Sequence, residues 1–205
     1  TLTAHLTRRT RTRSATNPLV AGNGRKEQRT LTDAPAEPKL PRSIAVLPFK
    51  PLTQGAPNAA VELGFADAYL ATVALSLPLR RYHDDDLGLE TEGQVVYNFG
   101  DQDHWEFNVV PIVARWQKFP WDARVATSAA FGLGLSYATE VPEVEVELEG
   151  ESDQLLIYWV AELTAGPVNA PWAVSLRLHH RSVAWGLMGD EGGMNAVGMG
   201  LRYQF

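Results

Sequence analysis

The sequence contains no cysteine, which excludes a disulfide scaffold, a thiol nucleophile and thiolate metal sites. It also lacks any apolar run approaching the roughly 20 residues that a membrane helix needs. A chain of this kind meets a membrane through strands or not at all. Phosphate-cradling loops, metal triads and dinucleotide fingerprints are missing too: Gly132-Leu133-Gly134 lies within a strand pattern and no helix follows it. No cofactor and no metal are therefore expected. Positive charge is scarce beyond residue 42, with nine Lys or Arg against twenty-one acids, whereas residues 1–42 carry nine against three.

That asymmetry divides a 205-residue chain of net charge −6 and 45% hydrophobic content. Residues 1–42 are rich in Thr, Arg, Pro and Asn without hydrophobic period, and are expected to form a disordered basic tail. The run Arg8-Arg9-Thr10-Arg11-Thr12-Arg13 reads as solvated, and no nucleic-acid partner is expected. No apolar core follows those arginines, so no secretory signal is visible; an outer-membrane protein needs one, and the native start is expected to differ from Thr1. Residues 43–65, from Ser43-Ile-Ala-Val-Leu-Pro-Phe-Lys-Pro-Leu52 to Glu62-Leu-Gly-Phe65, resemble the opening of the TolB-like domain found in some winged-helix regulators and adenylate cyclases. They form a fragment or linker that contributes a strand at Ile44 to Phe49.

From residue 66 to 205 the pattern is that of an all-β chain. The closing segment puts Val197, Met199, Leu201, Tyr203 and Phe205 on one face and Ala196, Gly198, Gly200, Arg202 and Gln204 on the other. An apolar face opposite a small or polar one, ending on an aromatic, suits a barrel strand with lipid outside and a polar lumen inside. Tyr69 to Leu79 gives another strand. Leu87, Leu89, Thr91, Gly93, Val95, Tyr97 and Phe99 alternate against Glu90, Glu92, Gln94 and Asn98. Trp105, Phe107, Val109 and Val113 oppose Glu106 and Asn108, and Phe131, Leu133, Leu135 and Tyr137 oppose Gly132, Gly134 and Ser136. Leu155, Ile157, Trp159 and Leu163 oppose Tyr158, Glu162 and Thr164, and Val174, Leu176 and Leu178 oppose Ser175, Arg177 and His179. Seven strands result. Small bacterial barrels begin at eight, so an eighth is expected upstream of Tyr69, supplied by the 43–65 segment or lost from the chain.

The inward residues are expected to form a polar plug in which Glu90, Glu92, Glu106 and Glu162 meet Arg177, Arg181 and Arg202, because small barrels are filled by side chains. Gln117–Arg124 and Gly166–Trp172 become periplasmic turns, with Trp116, Phe119, Trp121 and Trp172 at the interface. Thr139–Gln154 and Val183–Met194 face outward. Within the first of these, Glu143, Glu145, Glu147 and Glu149 repeat every second residue, which predicts a solvated loop or protruding hairpin; its carboxylates also suit hard cations.

The chemistry centres on His179-His180-Arg181-Ser182. Parity points His179 and Arg181 into the lumen and His180 and Ser182 toward lipid, where polar groups are unfavourable unless they pair or act. Here residues 66–205 resemble the outer-membrane lipid A 3-O-deacylases, eight-stranded barrels with a His-x-Ser motif on the external surface of the seventh strand. The resemblance implies that Ser182 is the nucleophile and His180 the general base in removing an ester-linked acyl chain from lipid A of lipopolysaccharide, in the bacterial outer membrane. The family carries a Glu at the start of the last strand to orient the imidazole; this chain has Asn195 there, with Glu191 four residues earlier, and either completes the site. The family also carries Asn after the Ser, near the oxyanion, where this chain has Val183. The alternatives are a small barrel with a structural, non-enzymatic role and a soluble lipocalin-like protein. Pairing into a homodimer is left open.

Overall fold

The computed structural model describes residues 42–54, 63–65, 67–184, 186–188 and 192–205. Arg42 apart, the tail expected over residues 1–42 lies outside them, as does Glu191. Eight antiparallel strands close into a barrel: β1 (Ser43–Gln54), β3 (Ala68–Tyr82), β4 (Leu87–Gly100), β5 (His104–Trp116), β6 (Ala126–Ala138), β7 (Leu155–Gly166), β8 (Trp172–Ser182) and β9 (Gly193–Gln204). A three-residue strand, β2 (Leu63–Phe65), pairs with the end of β1. Closure is the work of β1, which pairs with β3 on one side and β9 on the other. The strand needed upstream of Tyr69 is thus Ser43–Gln54, and the barrel takes in the segment that resembled a separate fragment.

Exposure alternates along the eight barrel strands as a lipid-facing barrel requires. Leu133 is 57% exposed and Leu201 58%, while Arg177 and Glu106 are fully enclosed. A soluble lipocalin-like barrel has the opposite arrangement, a polar exterior around an apolar lumen. Aromatic side chains collect at both rims: Trp116, Trp121 and Trp172 beside the short turns, and Tyr69, Tyr97, Phe99 and Trp105 at the long-loop end, where neighbouring rings lie 4.8–6.0 Å apart.

Two prolines interrupt the period of two. The β3–β4 ladder slips at Pro78/Arg80, and the β5 ladders slip around Pro111, between Glu90/Glu92 on one side and Val109/Ile112 on the other. Proline offers no N–H to the ladder, so bulges settle there. The second bulge corrects the sequence reading: Val113, expected outward with Val109, points inward at 2% exposure, and Ile112 takes the outward position. The same shift turns Arg115 into the lumen.

The acidic segment is a further correction. Residues Glu143–Glu149 form a short helix, α1, rather than a hairpin. Alternating Glu and Val satisfies either period, and Val144 is buried. Glu145 is also buried because Arg181 Nη1 donates to it at 2.9 Å and Ser152 Oγ donates at 2.5 Å. Arg181 holds the carbonyls of Asp153 and Gln154 as well, so this loop is tied to the mouth of the barrel.

Candidate functional site

The lumen holds a cluster of buried charged groups that pair with one another. Arg177 donates to Glu92 Oε1 at 2.7 Å and, through Nε and Nη2, to Glu162 Oε2. Arg202 bridges Glu162 and Glu90, each at 2.9 Å, and Arg115 bridges the same pair at 2.9 and 3.1 Å. Ser76 and Gln94 complete Glu92 at 2.6 and 2.7 Å. Three guanidinium groups thus balance three carboxylates, the arrangement in which buried charge is tolerable. The expected plug is present, with Arg115 as the member that periodicity missed and Arg181 turned to Glu145 instead. Glu106 faces His179, whose Nε2 lies 3.2 Å from Oε1 at an angle unsuited to a hydrogen bond, and accepts from Ser136 at 2.9 Å. An apolar wedge of Leu47, Phe49, Leu70 and Val96 fills the side of the lumen nearest β1. At the short-turn end Arg115, Ser128, Thr164 and Arg202 line a cavity of about 370 Å³, and the two arginines there are already paired with Glu90 and Glu162.

The outward face differs. His180 lies on β8 between Trp159 of β7 and Asn195 of β9, its two cross-strand partners. Asn195 Oδ1 lies 2.8 Å from His180 Nδ1. A carbonyl oxygen only accepts, so Nδ1 carries the proton and Nε2 keeps its lone pair. The imidazole also stacks on the Trp159 indole, with ring centres 4.6 Å apart and planes 27° from parallel. Ser182 sits two residues on, about 6.6 Å along the strand; among the described residues no hydrogen bond joins it to His180. Side chains of i and i+2 face the same way, and both look onto a groove of about 730 Å³ whose walls are Phe131, Leu133, Ile157, Trp159 and Leu187.

Of the four residues singled out by sequence, His180, Ser182 and Asn195 come together at the long-loop end of the barrel wall. Glu191 lies outside the described residues. Val183, standing where the resembling family has Asn, borders the groove and brings no side-chain donor. Gly192 and Gly193 lead into β9 at φ of 122° and 131°, conformations closed to L side chains, and a Cβ on Gly192 would meet Ser152. This turn therefore sets where Asn195 enters the sheet. Trp159 was legible only as an outward apolar residue; its place opposite His180 follows from the register across the five-residue turn at 167–171.

No family model matches the sequence, and no curated protein matches it. Among solved structures the chain is similar to the outer membrane enzyme PagL, with a TM-score of 0.55 at 12% sequence identity over 78% of this chain and 98% of that one. It is also similar to Neisserial surface protein A (NspA), with a TM-score of 0.47 at 12% identity over 80% and 97% of the two chains. At such identity the likeness to PagL speaks to fold alone: the chain has the closed, eight-stranded architecture of outer-membrane barrels.

Proposed function

We propose that this protein is a bacterial outer-membrane esterase that removes an ester-linked acyl chain from lipid A, with Ser182 as nucleophile, His180 as general base and Asn195 as the residue that orients the imidazole. One observation carries the reading. A histidine with its Nδ1 fixed by Asn195 and, among the described residues, no hydrogen bond at its Nε2 stands on the lipid-facing wall, two residues from a serine and beside an apolar groove. Structural histidines have no need of that placement, because polar groups facing lipid are unfavourable unless their partners or their chemistry compensate.

In this mechanism Ser182 Oγ attacks the acyl carbonyl carbon as its proton passes to His180 Nε2. The tetrahedral intermediate collapses, the ester C–O bond breaks, and His180 returns the proton to the departing sugar alkoxide. Water, deprotonated by His180, then attacks the acyl-serine; collapse expels Ser182 Oγ, which recovers the proton, and the fatty acid leaves. The groove walls suit an acyl chain, and the acyl donor reaches Ser182 laterally from the membrane. Val183 supplies no side chain to the oxyanion, so backbone N–H groups are left to stabilise it.

The test is the mass of lipid A from cells carrying the folded protein in their outer membrane, beside the Ser182→Ala variant. Loss of one hydroxyacyl chain in the parent alone supports the reading; unchanged lipid A in both overturns it. The absence, among the described residues, of a Ser182–His180 hydrogen bond, together with Asn195 and Val183 in place of the family's Glu and Asn, favours a second reading, a structural barrel that has the site's frame without its activity.

A further inference from the structure

Proton transfer from Ser182 creates an imidazolium at His180, and the group bonded to that ring is a neutral amide. Asn195 fixes the tautomer through a 2.8 Å contact in the plane of the ring but brings no negative charge to balance the cation. Among the described residues, no carboxylate bonds to His180. The ring's face, in contrast, is covered. The Trp159 indole lies against it with centres 4.6 Å apart and planes 27° from parallel, and Phe131 backs Trp159 at 5.8 Å. This aromatic row crosses β6, β7 and β8 on the lipid side. An indole face attracts a cation through its quadrupole, most strongly among the aromatic side chains and more so where water is displaced.

We propose that Trp159 is a positioning residue for His180, which holds the imidazole on its face while Asn195 holds it at its edge, and which stabilises the imidazolium in place of a carboxylate. The inference rests on the esterase reading above. It gives Trp159 a role that a groove wall does not have. A wall residue acts on substrate affinity, whereas a residue acting through the base changes the chemical step.

The experiment compares the full-length protein with Trp159→Phe and Trp159→Leu in detergent micelles. It uses purified lipid A for kcat and KM, and an alkyl fluorophosphonate for the rate at which Ser182 is labelled. Heat-modifiable migration on gels confirms that each variant is folded. Trp159→Leu keeps apolar bulk and loses the π face, so kcat and the labelling rate are expected to fall about tenfold while KM changes less than twofold. Trp159→Phe keeps a π face, and is expected to retain at least a third of the parent kcat. A change confined to KM, or an equal loss in both variants, makes Trp159 a wall and overturns the proposal while the esterase reading stands. A folded parent that neither hydrolyses lipid A nor labels overturns both.

Discussion

The two sides of the barrel wall place polar groups in apolar surroundings in opposite ways. In the lumen, Arg115, Arg177 and Arg202 share Glu90, Glu92 and Glu162, so each charge has an opposite one within about 3 Å. On the outer wall, among the described residues, His180 has one hydrogen bond and one stacking partner, and Ser182 has no bond to it. Charges paired in this way rigidify a structure. A sparsely bonded pair at the surface keeps a lone pair and a hydroxyl available. Both sets have members on β8, where successive residues alternate between the two sides: Arg177, His179 and Arg181 inward, His180 and Ser182 outward.

If this division is right, substitutions on the two sides separate activity from stability. The largest effect is expected for Ser182→Ala, which lowers hydrolysis at least about 10³-fold and leaves the urea midpoint of the micelle-bound barrel unchanged. A shift in that midpoint would return Ser182 to the structural side. Glu162→Gln gives the converse. It leaves Arg115, Arg177 and Arg202 short of their shared carboxylate, and stability is expected to drop by about 3–5 kcal/mol, while hydrolysis per folded molecule is retained. Asn195→Glu sharpens the contrast by adding the missing negative charge beside His180; kcat is expected to rise roughly tenfold, and an unchanged or lower kcat would remove Asn195 from the working site.

The smallest effect concerns the loop helix. Burial pushes the Glu145 carboxyl above its ordinary 4.5, with Arg181 offsetting part of that rise. The folded state therefore retains the proton better than the unfolded chain does. The contribution is fully present below pH 4.5 and declines as pH rises through the raised value. Glu145→Gln removes that dependence, so the stability curves of parent and variant should draw apart above pH 4.5 and run parallel below it.

What the sequence made legible follows from the pleat. Outward rows on β4, β6, β7, β8 and β9 could be read because side chains alternate with period two wherever the ladder is unbroken. Arg115 could not: Pro111 inserts a bulge between Glu106 and Asn108, which define the inward row of β5, and the arginine further along the strand. Nor could α1, because Glu-Val alternation fits a strand as well as a short helix, and the burial of Glu145 depends on Arg181 from a strand far along the chain. His180, Ser182 and Asn195 were found by parity and by their resemblance to a known motif. Trp159 was not, because only the register between β7 and β8 brings the indole to the imidazole.

The seam between β1 and β9 has a consequence for how the barrel comes into being. Arg42 and Phe205 exchange backbone hydrogen bonds of 3.0 and 2.9 Å, so segments more than 160 residues apart in sequence finish side by side. Until they meet, both edges of the sheet are open, and contacts this distant make assembly slow. The same adjacency makes the position of the break in the covalent ring arbitrary. A short linker from Phe205 to Arg42, with the chain reopened in the turn at 167–171, should yield a circular permutant that encloses the same lumen and is assembled in a different order.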